Sequence, residues 1–245
     1  MLYFKSLILF VGMACHAAGL PAQSVQKRRV VYDKADSVAT CYADFPITSL
    51  PLLAHHLTAS LVSPEEKFRA IYYWVCHNIK NDYPAYLQNK RQKHRYRNNP
   101  AALSHWNQKF SQQVFLRLRQ QRKTVCTGYA YLVQELSRHA GLRSVIIAGY
   151  GRTGLAPQAR EPNHSWNAVE LHGRWYLCDA TWGSGAVDPR TGIFIPMFND
   201  HYFLCDPQQF VMNHYPLDTT WLLLNPKPTL QDFYRYSSKL TGVHR

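Results

Sequence analysis

Residues 124–141 read Thr124-Val125-Cys126-Thr127-Gly128-Tyr129-Ala130-Tyr131-Leu132-Val133-Gln134-Glu135-Leu136-Ser137-Arg138-His139-Ala140-Gly141. Tyr129, Leu132, Val133, Leu136 and Ala140 recur at helical spacing. The stretch therefore predicts a helix from about Cys126 to Ala140 with one buried face, stopped by Gly141. Cys126 stands at its amino end, where unpaired N–H groups and the helix dipole favour an anion. A thiol in that position is a candidate nucleophile, because the thiolate is the attacking form.

Strands are predicted after this helix. Ser144 to Gly149 is apolar and β-branched. His164 to Leu171 and Trp175 to Asp179 flank His172-Gly173, a two-residue hairpin turn. Tyr202 to Cys205 reads as a further strand, and Asp206-Pro207 as a helix start. Before Cys126, Ser63-Pro64-Glu65-Glu66 carries a helix cap, a proline suited to the first turn and a capping box. Phe68, Ile71, Tyr72, Val75 and Ile79 follow at helical spacing. Asn81 to Asn99 is polar, basic and aperiodic and predicts a surface loop, whereas Ser111 to Gln121 predicts a helix. Helices first and antiparallel strands after them give an α+β fold.

The hairpin register tests for a site. With His172 and Gly173 at the turn, Trp166 faces Asp179, and His164 becomes a diagonal neighbour of Asp179 on one side of the sheet. A carboxylate that holds a histidine tautomer needs that geometry. Cys126, His164 and Asp179 thus make a candidate nucleophile, base and orienter. The alternatives are a buried small hydrophobe, a surface histidine and a strand-end cap.

Three motifs carry a resemblance: Thr124 to Ala130, His164-Ser165-Trp166-Asn167-Ala168-Val169, and Trp175-Tyr176-Leu177-Cys178-Asp179-Ala180-Thr181-Trp182. Their order and character resemble the Cys-His-Asp triad of the transglutaminase-like superfamily. The Glu66 to Trp74 helix and the Tyr202 to Trp221 tail match as well, the tail being similar to the branch that includes the kyphoscoliosis peptidase. The resemblance covers roughly residues 60–225. It implies a papain-like transglutaminase core, with the nucleophile Cys at a helix amino terminus packed on an antiparallel sheet. It also implies attack by Cys126 on an amide carbonyl, proton relay by His164, and an acyl-enzyme resolved by water or an amine. The chain departs from the family pattern at Ala180, where proline is common, and at Val125, where glycine is common.

The Cys126 backbone N–H is the natural first oxyanion donor. Gln120, Gln121 and Trp106 remain open as the second. Trp166, Trp182, Arg122 and Lys123 are candidates for the cleft, with core or wall packing as the other role of the two tryptophans.

Composition and charge bound the rest. The chain has 245 residues, 46% hydrophobic and 18% charged, which excludes a disordered chain, a coiled coil and a collagen-like fibre. Lys5, the apolar run Leu7 to Ala14 and Leu20-Pro21-Ala22 predict a signal peptide over residues 1–22. They are followed by an extension over 23–59, the catalytic domain over 60–225 and a tail over 226–245. A secreted or periplasmic protein without a transmembrane segment is expected.

The formal net charge of +13 is concentrated: Tyr83 to Gln134 holds ten Lys and Arg and no Asp or Glu. This is either a solvated face or a surface for anions. No nucleic-acid motif is present, and neither a cofactor nor a metal is expected. The expected partner is a peptide or protein substrate, acidic or associated with the cell envelope. Water is expected as acceptor. An amine-using transglutaminase and an inactive binding scaffold are the alternatives. Among Cys41, Cys76, Cys178 and Cys205, a Cys178–Cys205 disulfide is the favoured pair.

Overall fold

The computed structural model describes the backbone of residues 22–152, 161–188 and 190–240, with side chains between 32 and 235. The expected signal peptide lies outside the described residues except for Ala22. Helix α1 spans Ala22–Cys41 and α2 spans Leu50–Thr58. Residues up to Val31 form a separate unit, of which only helical backbone is described, and those from Tyr32 onward form one compact unit. Helix α3 (Pro64–Asn78) starts where the sequence predicts. The Ser63 hydroxyl accepts the Glu66 N–H at 3.1 Å, and the Ser63 N–H donates to Glu66 Oε2 at 3.2 Å. A two-residue strand β1 (Lys80–Asn81) follows.

The segment expected to be a loop is instead helix α4 (Tyr83–Arg95). Asp82 caps it by accepting the Ala85 N–H at 3.2 Å, and Pro84 sits in its first turn. Its Lys, Arg and Gln residues are good helix formers, but too few apolar positions exist to show a stripe. Ala85 and Tyr86 pack with Trp106, Phe110, Val114 and Val125 in a satellite core. The next helix, α5 (Pro100–Gln121), begins earlier than expected because Asn99 and Pro100 supply a second cap and first-turn proline.

Strand β2 (Lys123–Thr124) pairs in parallel with β1, and α6 (Cys126–His139) follows directly. Then come β3 (Arg143–Gly151), β4 (His164–Leu171) and β5 (Arg174–Cys178). After these come α7 (Ala180–Ser184), β6 (Gly185–Val187), β7 (Phe194–Pro196), α8 (Pro207–Phe210), β8 (His214–Pro216) and α9 (Leu230–Leu240).

The main sheet is antiparallel, in the order β5-β4-β3-β8. His172 and Gly173 turn the β4–β5 hairpin with φ of 50° and 74°, the left-handed pair that a two-residue turn requires. Asn167 pairs with Cys178 and Leu171 with Arg174, so the expected register holds. One face of the sheet, through Val169, Leu171 and Cys178, joins α2, α3 and α6 in the principal core. Residues 32–61 contribute Tyr32, Ala35, Ala39, Leu53, Leu57 and Leu61 to that core. The opposite face, through Ile147, Trp166, Ala168 and Leu177, packs on Phe210 and Cys205.

That division of faces rules out the expected disulfide. Cys178 faces the principal core, whereas Cys205 forms a single backbone bridge to Leu177 and lies on the other face, and the two are not linked. The strand expected over Tyr202 to Cys205 is a 3-10 turn (Asp200–Tyr202) followed by that one bridge. Leu204, with φ of 46°, is in the left-handed region and breaks the extended run. Among the described residues no helix is long and apolar enough to cross a membrane.

Gly128 sits inside α6, where alanine is ordinarily better by about 1 kcal/mol. Here a Cβ would fall on Thr124 Oγ1, and Thr124 is itself buried. Gly128→Ala should therefore destabilise the protein by about 1–3 kcal/mol in urea unfolding. Equal or greater stability would contradict this packing.

Candidate active site

The start of α6 fixes the position of Cys126. The Asp82 N–H donates to the Thr124 carbonyl at 2.8 Å, which extends the β1–β2 pair and ties down the chain just before the helix. Val125 is the N-cap, with an extended backbone (φ −96°, ψ 176°) that needs no glycine. Cys126 follows as the first helical residue, half-buried, so its own N–H is among those without a partner inside the helix. Burial acts to raise the thiol pKa. The hydrogen bond and charge of His164, with the Ser165 N–H, outweigh burial and bring it below the usual thiol value.

His164 opens β4 opposite Gly149 of β3. The ring has room there because Gly151 has no side chain: a Cβ at that residue would lie 2.8 Å from His164 Cβ. His164 Nε2 donates to Asp179 Oδ2 at 2.7 Å. With Nε2 engaged, Nδ1 is the nitrogen left for the Cys126 hydrogen bond. Burial would lower the imidazole pKa, but the Asp179 carboxylate and the Cys126 thiolate raise it to about 10.

Asp179 ends the hairpin and caps the next helix. Its Oδ1 accepts the N–H groups of Thr181 at 2.8 Å and Trp182 at 3.3 Å. Ala180 occupies the first helical position, where proline is tolerated but not required. Although burial acts to raise its pKa, the charge and hydrogen bonds of His164 and then His214 hold the Asp179 carboxyl far below the usual carboxylate range. The structure thus brings Cys126 to the His164–Asp179 pair whose relation follows from the hairpin register.

The other expected site residues divide. Trp182 is half-buried and stacks on His164, with centroids 5.0 Å apart and planes at 23°, forming a wall. Trp166 is fully buried against His214 and Phe210 and is core. Arg122 does not line the cleft. Its guanidinium donates to the carbonyls of Ala43 (2.6 Å) and Phe45 (2.8 Å) and lies over the Trp74 ring, so it ties α5 to the chain after α1. Lys123 is exposed on β2. Of the oxyanion candidates, Trp106 Nε1 is spent on Asn89 at 2.9 Å, and Gln120 and Gln121 are exposed at the end of α5.

One residue escaped the sequence reading. His214, fully buried on β8, places Nε2 at 3.0 Å from the same Asp179 Oδ2. Burial lowers its pKa to about 4 despite the carboxylate beside it. Among the described residues, His164, Asp179 and His214 are close enough to be considered as metal ligands, with candidate atoms within 4.8 Å. Their 2.7 and 3.0 Å contacts are N–H···O distances. Two ligands of a tetrahedral zinc at 2.0–2.1 Å would stand about 3.3 Å apart. The set as arranged fits shared hydrogens better than an ion.

The kyphoscoliosis peptidases of Mus musculus and Homo sapiens are each 38% identical to this chain over 173 residues, covering 69% of it and 23% of theirs. Hillarin of Drosophila melanogaster is 33% identical over 121 residues, covering 43% of this chain and 15% of that protein. The chain therefore spans about a quarter or less of the length of these relatives. A solved structure described as a TGase aligns over 72% of this chain and 36% of that one, at 16% identity and a TM-score of 0.38. The family model described as the transglutaminase-like superfamily matches residues 52–180, more than half of the chain and a stretch that holds Cys126, His164 and Asp179. On that match, the chain belongs to the transglutaminase-like superfamily.

Proposed function

We propose that the chain is a cysteine hydrolase of peptide or other amide bonds, working through a thioester acyl-enzyme. The observation that carries this reading is the buried relay from Asp179 through His164 to Cys126 at a helix amino end. A thiol pushed down beside an imidazole pushed up to about 10 favours the thiolate–imidazolium pair near neutral pH. The Cys126 sulfur attacks the carbonyl carbon, and the Cys126 N–H faces the developing oxyanion. As the C–N bond breaks, His164 gives its proton to the departing amine. Water then attacks the thioester, losing a proton to His164, and the carboxylic acid leaves as the thiolate re-forms. The apolar run Leu7 to Ala14 supports export of the enzyme.

Charge favours water over an amine as acceptor. Of the ten basic residues between 83 and 134, Arg117 alone is paired with a carboxylate among the described residues, Asp82 at 2.8 Å. Arg122 donates to the carbonyls of Ala43 and Phe45, so the exposed positive charge of this segment lies on its other basic residues. Lys90, Arg91, Arg95, Arg97, Lys109, Arg119 and Lys123 are exposed along the segment from α4 to β2. Such a surface repels a lysine ammonium acceptor, costs water nothing and attracts acidic chains.

Cys126→Ala or His164→Ala should abolish turnover of a peptide amide. Asp179→Asn should lower kcat by about 100- to 10,000-fold in a folded protein. Wild-type turnover by Cys126→Ala would overturn the reading. In a second assay the enzyme receives a cleavable amide and a primary amine together, across a salt series. Acid should be the main product, and preference for anionic substrates should weaken with salt. Dominant amine incorporation at low salt would establish the transglutaminase alternative.

A further inference from the structure

Asp179 is a buried carboxylate walled by aromatic rings, and every lone-pair direction of such a group costs free energy unless a donor fills it. Oδ1 is filled by two backbone N–H groups of α7. Oδ2 receives His164 at 2.7 Å, which leaves it one further site, and His214 fills that site at 3.0 Å. The two imidazoles approach from different strands, β4 and β8, so Oδ2 is held from two sides.

His214 is built into place. It stacks on Phe210 with centroids 4.0 Å apart and planes at 17°, lies 4.3 Å from the Trp182 ring and meets Trp166 edge-on at 5.0 Å. Backbone pairing of His214 with Gly151, the glycine that makes room for His164, fixes its strand against β3. A carboxylate oxygen only accepts, so the ring carries its hydrogen on Nε2. Nδ1 lies 2.6 Å from Asn213 Oδ1, and Asn213 Nδ2 lies 3.2 Å from the Tyr202 hydroxyl. With hydrogen on Nε2, Nδ1 only accepts, so the network is satisfied with the Asn213 amide turned to donate its N–H to Nδ1 and accept the Tyr202 O–H.

We propose that His214 is a positioning residue for the acyl-transfer centre: its Nε2–H holds Asp179 Oδ2 at the point where that oxygen meets His164. This inference rests on the reading of Cys126, His164 and Asp179 given above. His214 acts only through Asp179, and the groups facing it that can titrate are Asp179, His164 and, through Asn213, Tyr202.

A donor to a carboxylate favours its ionised form, so loss of the donor raises the carboxylate pKa. In His214→Phe, which keeps an aromatic ring but has no donor, Asp179 should protonate at higher pH. His164 then loses its charged partner, and the Cys126 thiolate fails earlier on acidification. In His214→Gln an amide N–H can reach Oδ2, and the thiolate should persist as in the wild type.

The probe is iodoacetamide, whose rate of reaction with Cys126 follows the thiolate fraction. The rate is measured across pH on the full chain, with the modified cysteine mapped. The acid limb should move up by about one pH unit in His214→Phe, a tenfold lower rate at a pH on the limb. In His214→Gln it should return to within half of that shift. A folded His214→Phe with the wild-type limb overturns the proposal, as does a His214→Gln shifted as far as His214→Phe.

Nitrogen-15 NMR of histidine-labelled wild-type protein does not depend on either variant folding. Nε2 of His214 should carry hydrogen at neutral pH, with a downfield proton signal that moves in Asp179→Asn. An unprotonated Nε2 overturns the proposal. A wild-type Cys126 that alkylates with the pH profile of an ordinary thiol would instead remove the hydrolase reading. The NMR result still reads His214 independently.

Discussion

One carboxylate joins most of what this chain assembles. Asp179 ends the β4–β5 hairpin, caps α7 through Oδ1 and receives two imidazoles through Oδ2. It can be ionised at depth because four N–H donors meet it, and because it is ionised the His164 imidazole is raised to about 10. Moving it by one residue along the hairpin would turn its side chain to the other face and remove the cap and both histidine contacts together. The register set by His172 and Gly173 is thus a condition for bringing Asp179 to both histidines.

The helical half of the fold places the thiol to meet that carboxylate's partner. The parallel β1–β2 pair pins Thr124, Gly128 lets Thr124 pack inside the first turn of α6, and Tyr129 donates its hydroxyl to the Ile79 carbonyl at 2.8 Å. From the other side, the Tyr72 hydroxyl of α3 donates to the Asp179 carbonyl at 3.1 Å, and the Cys76 thiol reaches the Ala180 carbonyl at 3.5 Å. Helices α3 and α6 therefore contact both ends of the relay. Arg69, buried on α3, pairs with Asp36 of α1 and with Asp200, and so binds the chain before α3 and the chain after the hairpin to one core.

The parts legible in the sequence were those with strong local rules. The capping box at Ser63, the stripe beginning at Tyr129 and the two-residue turn at His172 each act within a few residues, and the turn fixed the His164–Asp179 relation across the sheet. Helix α4 was not legible because its buried side is only Ala85 and Tyr86, completed by Trp106 and Phe110 from another helix. The thiols at 178 and 205 look pairable on paper, but strand alternation places them on opposite faces. His214 lies on a three-residue strand 35 positions after Asp179, in a segment without periodicity, and only tertiary packing brings them together. The one local hint is a lone polar histidine followed by Tyr215-Pro216 after a capped turn.

The central claim is that Cys126 is a thiolate paired with a charged His164 at neutral pH. Cys76 and Cys178 do not obscure it, because burial pushes both thiols well above the usual value. The most direct test is the ultraviolet thiolate absorbance of the wild type minus that of Cys126→Ser, titrated with pH and repeated in the His164→Ala background. The account predicts a thiolate signal already present at neutral pH, lost only on acidification, and absent at neutral pH without His164. A difference signal that appears only near the ordinary thiol pKa of about 8.5, with or without His164, would contradict it.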